Sequence, residues 1–205
     1  MDYELADDME MPYPHYRCPV GGEALPLTEA RITVTCDKHQ PSGESAGWTT
    51  RAATDKDRHA VEELCDRAWG ETEIDVFGTT FDVLRGDNIL AEVDDELAGM
   101  VSVAVQGGEL AIVLLSVYPE HQGGGMGASL LEAAVERARA RRLPFVKAAV
   151  TNDDIASLYF YQRHGFVICD VAIGAVADKL GSSPAGFACI PIRDEIRLRR
   201  PVPQE

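Results

Sequence analysis

Residues 116–127 read Ser-Val-Tyr-Pro-Glu-His-Gln-Gly-Gly-Gly-Met-Gly and join an apolar run at 110–115 to a long amphipathic segment. Gly123, Gly124, Gly125 and Gly127 remove the Cβ atoms from a stretch of chain about to enter a helix, between Gln122 and Ala128 and around Met126. Backbone N–H groups in such a turn can be approached closely by a bulky anion, and the positive end of the helix dipole adds attraction. The chemistry is therefore that of a phosphate cradle. Two other phosphate loops do not fit. A Walker loop needs a lysine that Gly127-Ala128-Ser129 lacks, and a dinucleotide fold needs GxGxxG with a later acidic ribose ligand.

A second constellation occupies 151–166, Thr-Asn-Asp-Asp-Ile-Ala-Ser-Leu-Tyr-Phe-Tyr-Gln-Arg-His-Gly-Phe. The apolar run 145–150 before it has the length of a buried strand. Asn152 or Asp153 can cap a helix and Gly165 can end it in the left-handed region, which places Tyr161 on that helix beside the strand ends. The spacing QxxGxG at Gln122, Gly125 and Gly127 resembles the acetyl-CoA-binding motif of the GNAT (Gcn5-related) N-acetyltransferase superfamily. The 151–166 segment resembles the superfamily's "N…A…FYxxxGF" stretch. Ile190-Pro-Ile-Arg-Asp-Glu-Ile196 is similar to the C-terminal strand of a subgroup with FYQRxGF and IPIRDEI segments. The resemblance covers about residues 48–200.

The resemblance implies an α/β GNAT fold: a mixed, mostly antiparallel central sheet with flanking helices and a V-shaped opening between two parallel strands. It implies acetyl-CoA as co-substrate and direct transfer of the acetyl group to a primary amine in a ternary complex, with no covalent enzyme intermediate. Pyrophosphate binding falls to the backbone of Gln122, Gly123, Gly124, Gly125, Met126, Gly127 and Ala128. The Val117 amide is the candidate for oxyanion stabilisation, and Asn152 either hydrogen-bonds the pantetheine or caps a helix. Tyr161 matches the tyrosine that protonates the departing thiolate; the competing reading packs it with Tyr159 and Phe160 in the core. A general base is open among Glu73, Glu109, Glu120 and His121, or a base acting through ordered water. The acceptor pocket is expected around residues 69–87, with Trp69, Glu71, Glu73, Asp75 and Phe77. A non-catalytic acyl-CoA-binding regulatory protein with an N-terminal docking module is the alternative function.

A helix at 55–69, an irregular segment at 70–88 and strands at 48–52, 89–93, 97–105 and 110–117 precede the glycine loop. A helix at 125–142 follows, with Leu130, Leu131, Ala134, Val135 and Ala138 on one face. Crossing over through that helix, 110–117 and 145–150 become parallel neighbours. Past Phe166 the pattern gives a strand to Val171, a Gly- and Ala-rich stretch 172–189 with room for a short helix, and a last strand at 192–198.

With 34 acidic and 19 basic residues the formal charge is −15, which repels nucleic acid and anionic membranes. No apolar stretch reaches the roughly 18 residues of a membrane span, and the acidic N-terminus is unlike a signal peptide. The expectation is a cytoplasmic protein acting on a small-molecule or peptide amine, with no nucleic-acid or membrane partner and a homodimer left open. Five cysteines, an odd number, suit reduced thiols, and Cys65, Cys169 and Cys189 read as small core residues. Residues 1–45 form an extension to the enzyme domain at 46–200. Within it His15, Cys18, Cys36 and His39 have zinc-ribbon spacing, but Cys18-Pro-Val-Gly21-Gly22 has glycine where a CPxCG knuckle has its second cysteine. A degenerate ribbon without metal is the reading.

Overall fold

Near-continuous apolar runs from 87 to 117, broken at Asp94-Asp95 and Gly107-Gly108, produce a long antiparallel meander buried on both faces. Its strands are β4 (Asp87–Val93), β5 (Glu96–Gln106) and β6 (Glu109–Val117), and β1 (Thr49–Ala52) adds to the outside of β4. The computed structural model describes residues 47–203, together with a pairing of Tyr16–Arg17 with Ala24–Leu25. The chain divides into two units between Ser42 and Gly43. His15, Cys18, Cys36 and His39 lie outside the described residues.

After β6 comes α2 (Met126–Ala140), then β7 (Phe145–Thr151), α3 (Ile155–Arg163), β8 (Val167–Ala172), α4 (Ala175–Leu180) and β9 (Glu195–Pro201). The seven strands lie in the order β8-β9-β7-β6-β5-β4-β1, and every neighbouring pair is antiparallel except β6 with β7. That parallel pair is short: Leu110 faces Val146 and Ala111 faces Lys147, and then the strands part. The cause lies on the far side of β6. Ser102 faces Leu114 while Val103 faces Ile112, so Val113 is an extra residue in β6. A bulge bends the strand that carries it. Here it turns β6 away from β7 just beyond their last pair, which gives the V-shaped opening.

The segment 70–88 is ordered, contrary to the expectation of irregular chain. It holds a hairpin of β2 (Glu73–Val76) and β3 (Thr79–Asp82), preceded by α1 (Arg58–Trp69). Phe77 and Gly78 form its two-residue turn with φ of 56° and 68°, the primed geometry that matches strand twist. Phenylalanine seldom adopts that conformation, so the turn signal was weak. Two further boundaries move. The last strand starts at Glu195 rather than 192, because the backbone before it is hydrogen-bonded to Asn152. Of the three cysteines read as core, Cys65 is buried, while Cys169 and Cys189 are exposed.

The sheet is covered on both faces. One face packs Val101, Ile112 and Val146 against Leu130, Leu131, Ala134, Val135 and Ala138 of α2 and against Phe166. On the other, Val61 and Leu64 of α1 and Ile74 of the hairpin meet Leu90, Met100 and Leu114. Burial of each such aliphatic side chain stabilises by roughly 1.5–3 kcal/mol. Both layers are anchored to β6, which fixes the position of its C-terminal end. Among the described residues no helix is long and apolar enough to cross a membrane.

Candidate active site

At the end of β6, Tyr118 N donates to Ala98 O at 2.9 Å. Backbone groups alternate along a strand, so the N–H and C=O of Val117 point to the opposite edge, where β7 has already left. The carbonyl accepts Gln122 Nε2 at 2.8 Å, a bond that folds the loop back onto the strand. The amide faces the gap.

Gln122 is thus a brace: its side chain holds Val117, and its own N–H donates to Pro119 O at 3.3 Å. Beyond it the chain turns through Gly123 and Gly125, with φ of 82° and 96°. Among the described residues the amides of 123–128 have no acceptor, and the first helical bond runs from Ser129 N to Gly125 O at 3.0 Å. Free donors at a helix start, with the dipole behind them, form an anion site. Gly127 differs from Gly123 and Gly125 in lying within the helix without a positive φ; a Cβ there would stand 3.7 Å from the Phe160 ring, an ordinary contact.

Across the opening, Tyr161 of α3 is packed edge-on against Phe160 and Phe166, with ring centroids 5.3 Å apart in each case. It is 6% exposed and also lines the cavity between the parted strands. Its ring belongs to the core, as the packing reading expects, and it also lines the cavity. Burial pushes the phenol well above its usual range, and the nearby Asp154 carboxylate adds to the rise. The group keeps its proton at neutral pH.

The cavity has a volume of about 640 Å³ and is partly open to solvent, with Trp69 and Leu180 at its exposed rim. Tyr161, Ser157 and Asp154 stand at the α3 side; Trp69, the hairpin, α4, Glu195 and Arg197 enclose the other. Its walls between are residues 112–115 of β6 and 149–151 of β7.

Asn152 does not cap α3, as one expectation had it. Its Oδ1 accepts Arg193 N at 2.8 Å and Asp194 N at 2.9 Å, and its Nδ2 donates to Pro191 O at 2.9 Å. It tethers the 190–194 loop. The cap of α3 is Asp154, whose carboxylate accepts Ser157 N at 2.9 Å.

None of Glu73, Glu109, Glu120 and His121 lines the cavity; Glu109 begins β6 at the end remote from the opening, and Glu120 and His121 line a separate cleft with Arg67 and Tyr118. The carboxylates that do are Asp75, Asp154 and Glu195. Asp75 pairs with Lys179 at 2.8 Å and accepts the Thr80 hydroxyl; Lys179 and Thr80 together hold its carboxyl below the usual range. Glu195 accepts Arg197 Nε at 2.7 Å and Phe77 N at 3.1 Å, and its side chain is 13% exposed. In the sequence Glu195 stands only within the strand motif at 190–196. Its place opposite Thr151, set by the β7–β9 register, is what brings it to the cavity.

A mixed sheet that parts at its parallel pair, with unpaired amides at the mouth, is the architecture of a protein that can hold an anionic ligand between its strands. The model of the Acetyltransferase (GNAT) family matches residues 54–166, and the chain belongs to that family. The uncharacterized protein YxbD of Bacillus subtilis (strain 168) is 28% identical over 144 residues, covering 67% of this chain and 89% of that one. Among solved structures, the IAA acetyltransferase from Bacillus cereus ATCC 14579 is 20% identical with a TM-score of 0.60, over 75% of this chain and 99% of that one. A GNAT family acetyltransferase from Elizabethkingia anophelis with acetyl-CoA bound is 19% identical with a TM-score of 0.60, over 77% and 99%. These two share the fold.

Proposed function

We propose that this protein transfers an acetyl group from acetyl-CoA to a primary amine by direct attack in a ternary complex. The observation that carries the reading is the row of unpaired amides at 123–128, placed at the mouth of the opening between β6 and β7. Acetyl-CoA, which the Elizabethkingia anophelis structure holds, is the co-substrate, and when bound it supplies the acyl group as an activated thioester. The fit to this chain is chemical as well as topological. A diphosphate needs several convergent N–H donors, and the cradle supplies them without a side chain in the way.

The remaining tasks fall to residues already placed. The Val117 N–H, directed into the gap, is a donor for a carbonyl oxygen on which negative charge grows; one such preorganised donor contributes about 3–4 kcal/mol in other acyl-transfer enzymes. Tyr161, protonated and lining the same cavity, gives its proton to the departing sulfur. Asn152 acts from behind the site by holding the loop that precedes β9.

Calorimetry with acetyl-CoA, followed by thiol release over a panel of amines, tests this function. Binding with amine-dependent thiol release is the expected result. A protein that binds acetyl-CoA and releases no thiol with any amine is an acyl-CoA-binding module instead.

A further inference from the structure

Resting on the acetyltransferase reading, we propose that the hairpin-side half of the cavity takes a compact primary amine, not a peptide, and that Glu195 receives the ammonium proton.

The first part follows from how this half is roofed. The β2–β3 hairpin and α4 close over it and are joined to each other by the Asp75–Lys179 ion pair at 2.8 Å. The hairpin tip is fixed to the sheet by Phe77 N on Glu195 and by Lys147, whose ammonium lies 4.5 Å from the Phe77 ring centre. The start of α4 is fixed as well: Val176 N and Ala177 N donate to Arg193 O at 2.9 and 3.0 Å, and Gly174 N donates to Asp194 Oδ1 at 2.8 Å. Arg193 and Asp194 are the residues that Asn152 holds. An extended peptide needs an open groove for the residues flanking its amine, and a roof pinned at both ends denies it one. A volume of 640 Å³, part of it needed for the acyl-bearing arm, suits a small molecule. Ile74, Val76, Trp69 and Leu180 give this half apolar walls, while Asp75 and Glu195 favour a cation.

The second part follows from comparing the three carboxylates. Asp154 is committed to the α3 N-terminus on the other side of the sheet, and Asp75 belongs to the roof, paired with an ammonium of its own. Glu195 stands next to Thr151, the β7 residue at the open end of the gap. Two of its lone pairs are used, by Arg197 and Phe77, and a carboxylate has about four. Those two bonds fix its direction and leave it able to accept. One ammonium proton passes to Glu195 and frees the nitrogen lone pair. The nitrogen then bonds to the acyl carbon as the carbon–sulfur bond breaks; Tyr161 protonates the sulfur and regains a proton from the nitrogen. Ammonium and thioester thus yield amide, thiol and one proton. The charged or titratable groups around Glu195 are Arg197 on its own strand, Lys147 on β7, Cys169 and Asp170 on β8, and Asp75 and Lys179 on the roof.

The test offers the full chain acetyl-CoA with benzylamine, tyramine and 1,4-diaminobutane, and separately with hexapeptides bearing a free N-terminus or a central lysine. Compact amines should be acetylated and the peptides left untouched. Glu195→Gln should lose some thermal midpoint, because glutamine has one oxygen for the two donors Arg197 Nε and Phe77 N. With the best amine it should keep the acetyl-CoA affinity of the parent but lower kcat/KM about 100-fold near pH 7. That deficit should shrink as pH rises toward the amine's own pKa, where the substrate no longer needs a base. Turnover of a hexapeptide on a par with or above the amines, or full activity of Glu195→Gln with an unchanged pH profile, would each overturn the proposal. Failure to bind acetyl-CoA, or binding with neither amine nor peptide acetylated, removes the acetyltransferase reading itself.

Discussion

Tyr161 has a ring held by Phe160 and Phe166 and an edge on the cavity, so removing its hydroxyl should leave the packing almost untouched. Tyr161→Phe is expected to lower kcat about 100-fold or more while the acetyl-CoA Kd by calorimetry stays within twofold of the parent. The pH behaviour has a definite sign. A phenol raised above its ordinary value of about 10 keeps its proton throughout the neutral and mildly alkaline range, so its ionisation cannot cause activity to fall between about pH 7 and 9. An alkaline limb in that interval that disappears in Tyr161→Phe would contradict the assignment. The place of Tyr161 on α3 was legible because it sits inside a contiguous segment whose residue types are read together. Glu195 was not, since its nearness to the cavity depends on which residue of β7 it faces, and pairing between strands 44 positions apart is a tertiary fact. Glu109 and Glu120 were attractive only through closeness in sequence to the glycine loop, and the strand and the turn carry them elsewhere.

Among elements, the glycine loop separates two roles that the motif merges. Gly125 caps α2 with φ 96° and ψ 0°, a conformation that costs an L-residue about 1–2 kcal/mol, so Gly125→Ala should weaken acetyl-CoA binding about tenfold as the amides shift. Gly127 lies within the helix with room for a methyl group, where alanine is the better helix former. Gly127→Ala should therefore match or exceed the parent's thermal midpoint, and any loss of acetyl-CoA affinity it shows by calorimetry reports contact with the ligand. The loop after α4 gives a second test. A Cβ on Gly186 would overlap the buried Asp153 carboxylate, which accepts the Thr151 hydroxyl at 2.6 Å and Phe187 N at 3.1 Å, and would lie 2.8 Å from Ile192 Cγ1. Gly186→Ala should cost about 1–3 kcal/mol, read as a lower urea midpoint, and raise the KM for the acceptor. Regular elements were visible from periodicity, α2 within two residues at its C-terminal end. The hairpin and the tether at Asn152 were not, because one rests on a phenylalanine in a turn position and the other on a side chain bonding across the fold.

At the scale of the whole molecule, local and global electrostatics act in opposite directions on an anionic ligand. The cradle at 123–128 offers partial positive charge that falls off within a helical turn, whereas the formal charge of −15 acts over a distance set by the Debye length. That length is about 30 Å at 0.01 M salt and about 8 Å at 0.15 M. A polyphosphate-bearing ligand approaching at low salt therefore meets net repulsion before it reaches the donors. Once seated, it is held by short-range hydrogen bonds that salt screens far less. Association of CoA measured by stopped flow should accordingly speed up several-fold between 0.01 and 0.15 M salt, while its dissociation rate changes little. The opposite trend, with association slowing as salt is added, would mean that the ligand is steered by a cationic surface and that the backbone cradle is not what first captures it.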